Sequence, residues 1–174
     1  MTMPDNMRAL VIMGVTGCGK STVAAAICER MGAMLIEGDA FHPEGNILKM
    51  RVGTPLNDDD RQGWLERLGE ELARAVAIGI PAVLTCSALK RRYRDVLRAA
   101  LPGVGFVFLQ LSPEVAAERV AHRPGHFMPA SLVDSQFLDL EPPVDESGVL
   151  TVCAVDPLVL IVEKAVVWWR AGDT

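Results

Sequence analysis

The sequence predicts an α/β fold in which a parallel β-sheet carries helices on both faces. Three features point to it. Strand-length apolar runs alternate with helical patterns along the chain. The strands are nearly uniformly apolar rather than alternating, as expected for a sheet covered on both sides. The first strand also passes directly into a glycine-rich turn that opens a helix.

Residues 9–13 form the first strand. Residues 20–31 form a helix, with Val23, Ile27 and Met31 spaced by four and Gly32 as its stop. A short second strand spans 34–37, and 43–50 fits a short helix. The clearest long helix runs over 57–78. Asn57 is a suitable N-cap, and Asp58, Asp59 and Asp60 fall in the first turn, where the helix dipole favours them. Trp64, Leu65, Leu68, Leu72 and Val76 make one apolar stripe, and Gly79 and Pro81 end the segment. Residues 82–87 and 105–111 are the third and fourth strands, with a basic helix over 89–99 between them. A helix at 113–121 precedes a turn-rich break at 122–129, and 131–140 is helical again. A proline-rich acidic loop follows to Gly148. Strand five covers 150–155, and Pro157 starts the last helix at a favoured first position.

The chain has 174 residues, 50% hydrophobic and 22% charged. A chain of this length buries roughly 70% of its unfolded surface, enough for a single domain (1–174) with its own core. The composition excludes global disorder, collagen and coiled coil. A net charge of −5 disfavours a nucleic-acid footprint, although a local basic cluster can still hold a small anion. The four cysteines are scattered with no C-x-x-C, so neither a disulfide nor a zinc framework is expected. The most apolar stretch, 150–169, is broken by Asp156, Glu163 and Lys164, which excludes a membrane span. Arg8 before a short apolar run is no signal peptide, so the expected compartment is the cytoplasm.

Gly14-Val15-Thr16-Gly17-Cys18-Gly19-Lys20-Ser21 fits the phosphate-loop pattern G-x-x-x-x-G-K-[ST], in the strand-to-helix context it needs. Glycines let successive backbone N–H groups converge on one anion, and the helix N-terminus adds partial positive charge. Lys20 would bridge the β- and γ-phosphates of ATP, Ser21 would hold Mg²⁺, and Thr22 is placed for an α-phosphate contact. No N-K-x-D motif marks a GTPase. Residues 152–156 resemble a strand ending in a metal-organising Asp, but they come last in the chain and run into Pro157. A small-molecule kinase fits the length best.

Asp39 follows strand two, and His42 lies three residues on. In a parallel sheet, residues past the C-terminal strand edge share the crevice with the phosphate loop. Asp39 could take a proton from a substrate hydroxyl, organise Mg²⁺ through water, or simply cap a helix; His42 could equally bond only a turn. Asp58 and Asp59 read as helix caps, whereas Arg61 has the fork to grip a carboxylate. After strand three come Lys90, Arg91, Arg92, Arg94 and Arg98. Lys90, Arg94 and Arg98 share one helical face, which either meets an anionic substrate or is solvated. Arg119, Arg123 and His126 flank a Pro124-Gly125 turn. They are either a closing cover over the phosphoryl group or an ordinary helix–turn–helix, and we place a helical lid near 119–140.

These stretches together resemble the gluconate kinase (gluconokinase, thermoresistant type) family over nearly the whole chain, residues 9–168. The matching pieces are GVTGCGKST at 14–22, EGDAFHPEGNILKM at 37–50, G-x-P-L-N-D-D-D-R at 53–61 with Trp64-Leu65, CSALKRRYRD at 86–95, and GHFMPASLVDSQFLDLE at 125–141. The resemblance implies transfer of the ATP γ-phosphate to the 6-hydroxyl of D-gluconate. It implies a fold like that of adenylate and shikimate kinases, with strand order 2-3-1-4-5, and a homodimer. Carried over, residues 17–22 hold phosphates, and Asp39, His42, Lys49, Arg61, Lys90 and Gln136 lie near the sugar acid. Arg119 and Arg123 belong to the lid and nucleotide side. One stretch departs from the family: it has V-D-I-D-like acidic residues before the last helix, where this chain reads Cys153-Ala154-Val155-Asp156-Pro157, near the expected adenine position. A shikimate-type or other hydroxy-acid kinase, and an ATP-binding module without chemistry, are the competing readings.

Overall fold

The computed structural model describes residues 7–122 and 131–172. Among the described residues the chain forms five strands and seven α-helices, with one or two helices between successive strands. In order they are β1 (Ala9–Met13), α1 (Lys20–Met31), β2 (Met34–Glu37), α2 (Glu44–Arg51), α3 (Asp58–Ala77), β3 (Ala82–Thr85), α4 (Arg91–Ala100), β4 (Gly105–Gln110), α5 (Pro113–Ala121), α6 (Leu132–Asp139), β5 (Val149–Cys153) and α7 (Leu158–Ala171). The sheet order is β2-β3-β1-β4-β5, and every paired neighbour is parallel. Both the sheet and its order are those the sequence led us to expect.

The central strands are buried on both faces, which is why they read as unbroken apolar runs. All five residues of β1 and all four of β3 are buried. The α3 stripe packs as its spacing requires: Trp64, Leu65, Leu68 and Leu72 are buried against the sheet. On the far side, α7 buries Ile161, Val162, Ala165, Val166 and Trp169, and the Trp169 indole N–H donates to the Met7 carbonyl at 3.0 Å. Each such large side chain contributes about 1.5–3 kcal/mol on burial.

Several boundaries differ from the sequence pattern by one or two residues, strand five among them, which spans Val149–Cys153 rather than 150–155. A 3₁₀ turn at Gly38–Phe41 precedes α2. Strand three stops at Thr85 rather than at 87, because the chain turns through Ala88 at φ +45°. That conformation is held from outside: Arg94 donates to the carbonyls of Ala88 at 2.8 Å and Leu89 at 3.1 Å. None of the helices among the described residues is long and apolar enough to cross a membrane.

Candidate active site

Register places the site. Thr85, the last residue of β3, lies opposite Ile12 of β1 and opposite Glu37 of β2. Everything leaving the C-terminal ends of these strands therefore meets at one edge of the sheet. The phosphate loop leaves β1, the Asp39 turn leaves β2, and the 86–90 segment leaves β3. The buried Cys86 thiol marks the middle of this cluster. Burial raises its pKa to about 12 against a hydrogen bond with the Ala88 backbone, and the charges of Asp39, Lys20 and Arg61 all act on it.

The loop between β1 and α1 needs its glycines. Gly14 sits at φ +145°, and a Cβ there would meet Cys18 Sγ at 2.8 Å and the Leu109 carbonyl at 3.0 Å. Gly19 is the left-handed N-cap of α1, and no side chain caps that helix start. Its first-turn amides are thus donors open to an anion. Lys20 folds back over the loop, its ammonium donating to the carbonyls of Gly14 at 3.0 Å and Val15 at 3.1 Å. Two later helices reach the same loop. The Thr16 amide donates to Gln136 Oε1 of α6 at 2.7 Å. Arg119 of α5 donates to the Gly17 carbonyl at 3.2 Å and to the Ala154 carbonyl at 3.4 Å.

At the ends of β2 and β3 a polar chain replaces the apolar core. The hydroxyl groups of Thr85 and Ser21 donate to Glu37 Oε2 at 2.6 Å and 3.1 Å, and the Gly38 amide donates to Thr85 Oγ1 at 3.1 Å. Only glycine fits at 38, because a Cβ would lie 2.1 Å from the Thr85 carbonyl oxygen. Sequence reasoning missed Glu37 as a site residue. The signal was present: it is the one carboxylate at the end of an otherwise apolar strand, on the edge where the phosphate loop opens. By contrast, Asp156 lies beyond the outer strand β5 and faces Lys164 at 3.7 Å. It does not end a strand next to β1. The Ser21 hydroxyl and the Glu37 carboxylate are hard oxygen donors of the kind Mg²⁺ takes beside phosphate oxygens, so the residues present fit that ion.

Asp39 stands on the Gly38–Phe41 turn with its side chain 69% exposed, and its Oδ1 is 3.7 Å from His42 Nε2. The His42 side chain is buried and stacked on Trp64, ring centroids 4.0 Å apart. Burial pushes its pKa down to about 4, with Asp39 pulling up and Arg61 pushing down. The imidazole is therefore neutral at physiological pH.

The acidic start of α3 divides its work. Asp60, not Asp58 or Asp59, completes the capping box with Asn57. Asp60 also accepts from Lys49 at 2.9 and 2.8 Å, and that hydrogen bond holds its carboxyl below the usual range. Asp58 instead binds across to the β3–α4 region. It accepts from the Tyr93 hydroxyl, from Lys90 at 3.0 Å and from Arg92 at 2.8 Å. Arg61 is buried, with Nη1 donating to the Tyr93 hydroxyl at 3.0 Å and to Asp139 of α6 at 3.2 Å.

The basic face expected of the helix after strand three is corrected by the structure. Lys90 is the N-cap of α4 and joins the cluster, but Arg94 is fully buried and points the other way. It pairs with Glu146 at 2.5 Å, and Arg98 pairs with the same carboxylate at 2.8 Å. The acidic 141–148 loop supplied the partner that the periodicity of one helix could not reveal. Arg123, with the Pro124-Gly125 turn and His126, lies outside the described residues.

Residues 10–143 match a family described as an AAA domain. The chain is 44% identical over 166 residues to a gluconokinase of Gluconobacter oxydans, covering 95% of this chain and 93% of that protein. It is 40% identical over 157 residues to the thermoresistant gluconokinase of Escherichia coli, covering 90% of each. Among solved structures, a gluconokinase from Sinorhizobium meliloti superposes with a TM-score of 0.82 at 51% identity, over 91% of this chain and 89% of that one.

Proposed function

The chain belongs to the gluconokinase family, and we propose that it transfers the γ-phosphate of ATP to the 6-hydroxyl of D-gluconate, giving 6-phospho-D-gluconate and ADP. One observation carries the reading. The likeness to gluconokinases extends over nine-tenths or so of both chains and takes in the phosphate loop and the exposed Asp39 at the same sheet edge.

In the reaction the gluconate O6 forms a bond to the γ-phosphorus as the bond to the β,γ-bridging oxygen breaks. The electron pair of that bond leaves with ADP. Asp39 takes the hydroxyl proton, and its exposure leaves it accessible to the alcohol. Lys20 exchanges the Gly14 and Val15 carbonyls for β- and γ-phosphate oxygens. The backbone of Gly14, Thr16, Gly17, Cys18 and Gly19, with Ser21 and Thr22, lines the triphosphate. Mg²⁺ bound at Ser21, with Glu37 and Asp39 as the nearby carboxylates, would neutralise phosphate charge.

Arg61 and Lys90 are the cations for the gluconate carboxylate, with Lys49 bordering the same crevice and the buried His42 side chain behind Asp39. Each cation is held in the free protein by a carboxylate (Asp139, Asp58 and Asp60 for Arg61, Lys90 and Lys49) that a substrate carboxylate can displace or share. Arg119 and Gln136 touch the phosphate loop from α5 and α6. These contacts support a cover over the nucleotide built on α5 and α6. A homodimer accompanies the family reading and is checked by light scattering; the cytoplasm is the compartment that goes with it.

A coupled assay of ADP release across gluconate, shikimate, glycerate and AMP tests the reaction. We expect turnover only with gluconate. An intact, Mg²⁺-supplied preparation without gluconate-dependent ADP would refute it.

A further inference from the structure

We propose that His42 is the positioning residue of Asp39: Asn46 locks its imidazole in the Nε2–H tautomer, and that N–H is presented to the Asp39 carboxylate. The inference deepens the reading of Asp39 as proton acceptor and rests on it.

The tautomer follows from one carbonyl. The Asp60 backbone oxygen can only accept, so the Asn46 atom 2.9 Å from it is the amide nitrogen. The same nitrogen lies 3.3 Å from His42 Nδ1. An amide nitrogen has hydrogens to give and no lone pair to offer, so Nδ1 accepts. A neutral imidazole that accepts at Nδ1 carries its proton on Nε2. Nε2 is the atom that faces Asp39 Oδ1.

Rigidity decides which partner orients the other. The His42 side chain is 4% exposed, and Asn46 is buried. The imidazole stacks on Trp64 with 15° between the planes. Trp64 in turn donates from its indole N–H to the Gly38 carbonyl at 2.8 Å, directly before Asp39. The ring can neither flip nor swing without breaking this chain, whereas the Asp39 carboxylate is largely in solvent. At 3.7 Å the Nε2–Oδ1 pair is longer than a hydrogen bond. A small rotation of the exposed carboxylate closes it, and such contacts tighten when substrate is bound. With one oxygen held by Nε2–H, the other is aimed at the attacking hydroxyl. The His42 proton stays on His42 throughout. So deeply buried, His42 has almost no surface with which to touch a sugar acid itself.

The test begins with the unmodified protein, ¹⁵N-labelled, in a long-range ¹H–¹⁵N correlation spectrum at neutral pH. The ring signals are assigned in the unmodified protein by through-bond correlation to the His42 backbone. We expect Nε2 protonated and Nδ1 bare. In kinetics, His42→Phe keeps the ring stack and lowers kcat about 10–100-fold, with both KM values within about threefold, the range expected for a misaligned general base. His42→Gln, which puts an N–H near the Nε2 position, restores most of that loss. Added to Asp39→Asn, His42→Phe costs nothing further. A proton on Nδ1 in the unmodified protein overturns the proposal, and that result does not depend on any variant folding. So does a His42→Phe protein with unchanged kcat, whether its gluconate KM rises or stays. If the unmodified protein lacks gluconate turnover, the gluconokinase reading fails while the tautomer is still decided by the spectrum.

Discussion

Asp39 and Arg61 carry opposite burdens, and their surroundings say so. Asp39 is exposed and lightly held, as a group must be if it is to meet a substrate hydroxyl. Asp39→Asn should therefore lower kcat at least about 100-fold while the ATP KM stays within about threefold, since a general base contributes roughly 10²–10⁴ in rate. Steady-state kinetics over both substrates checks this, and equal damage to ATP binding would point to a metal or structural role. Arg61 is buried between Tyr93 and Asp139. Arg61→Ala should raise the gluconate KM about 10–100-fold, from the loss of charge-assisted hydrogen bonds worth about 1.5–3 kcal/mol. An unchanged KM would remove Arg61 from the carboxylate site. Residues 39 and 61 stood out in the sequence because Asp39 follows the end of a strand and Arg61 sits at the start of a long helix. Glu37 showed as an acid closing an apolar strand, but its partners, the hydroxyls of Ser21 and Thr85, come from other elements and could not be read from that strand.

A buried ion cluster fastens α4 to the loop after α6. Arg94 of α4, with no exposed side-chain surface, bonds Glu146, the Glu141 carbonyl at 2.9 Å and the carbonyls of Ala88 and Leu89. It thereby ties the 141–148 loop to the strained turn that leads into Lys90. Arg94→Ala should cost about 3–5 kcal/mol in urea denaturation, because Glu146 keeps only Arg98 while the carbonyls of Ala88, Leu89 and Glu141 lose their buried donor. A loss below about 1 kcal/mol, the scale of a surface pair, would contradict this. Burial by itself would raise the Glu146 pKa, but hydrogen bonds from Arg94 and Arg98 outweigh it and hold the carboxyl below its ordinary 4.5. A carboxyl depressed on folding stabilises the protein fully above its unfolded pKa, and that stability disappears as pH falls through the folded value. The urea midpoint advantage of the unmodified protein over Glu146→Gln should thus be constant above pH 4.5 and shrink below it. An advantage that grows toward acid would contradict the pairing. Helix positions were readable from periodicity, as the α3 stripe demonstrates. The facing of Arg94 was not, because spacing names a face without naming what another loop brings to it.

At the scale of the molecule, parallel strand register does the assembling. Because β1, β2 and β3 end together, a phosphate loop, an exposed carboxylate and a set of carboxylate-held cations share one edge with no contact needed between them in sequence. That edge was legible early, since an alternating α/β pattern with the loop after its first strand leaves few other places for residues 39 and 90 to go. The most direct test is the identity of the product. The protein is incubated with ATP, Mg²⁺ and gluconate, and ³¹P–¹H correlation locates the new phosphate while ADP is counted. The expected result is one phosphate on the oxygen at C6 for each ADP formed. ADP that accumulates equally without gluconate, or phosphate on any other oxygen, would contradict it.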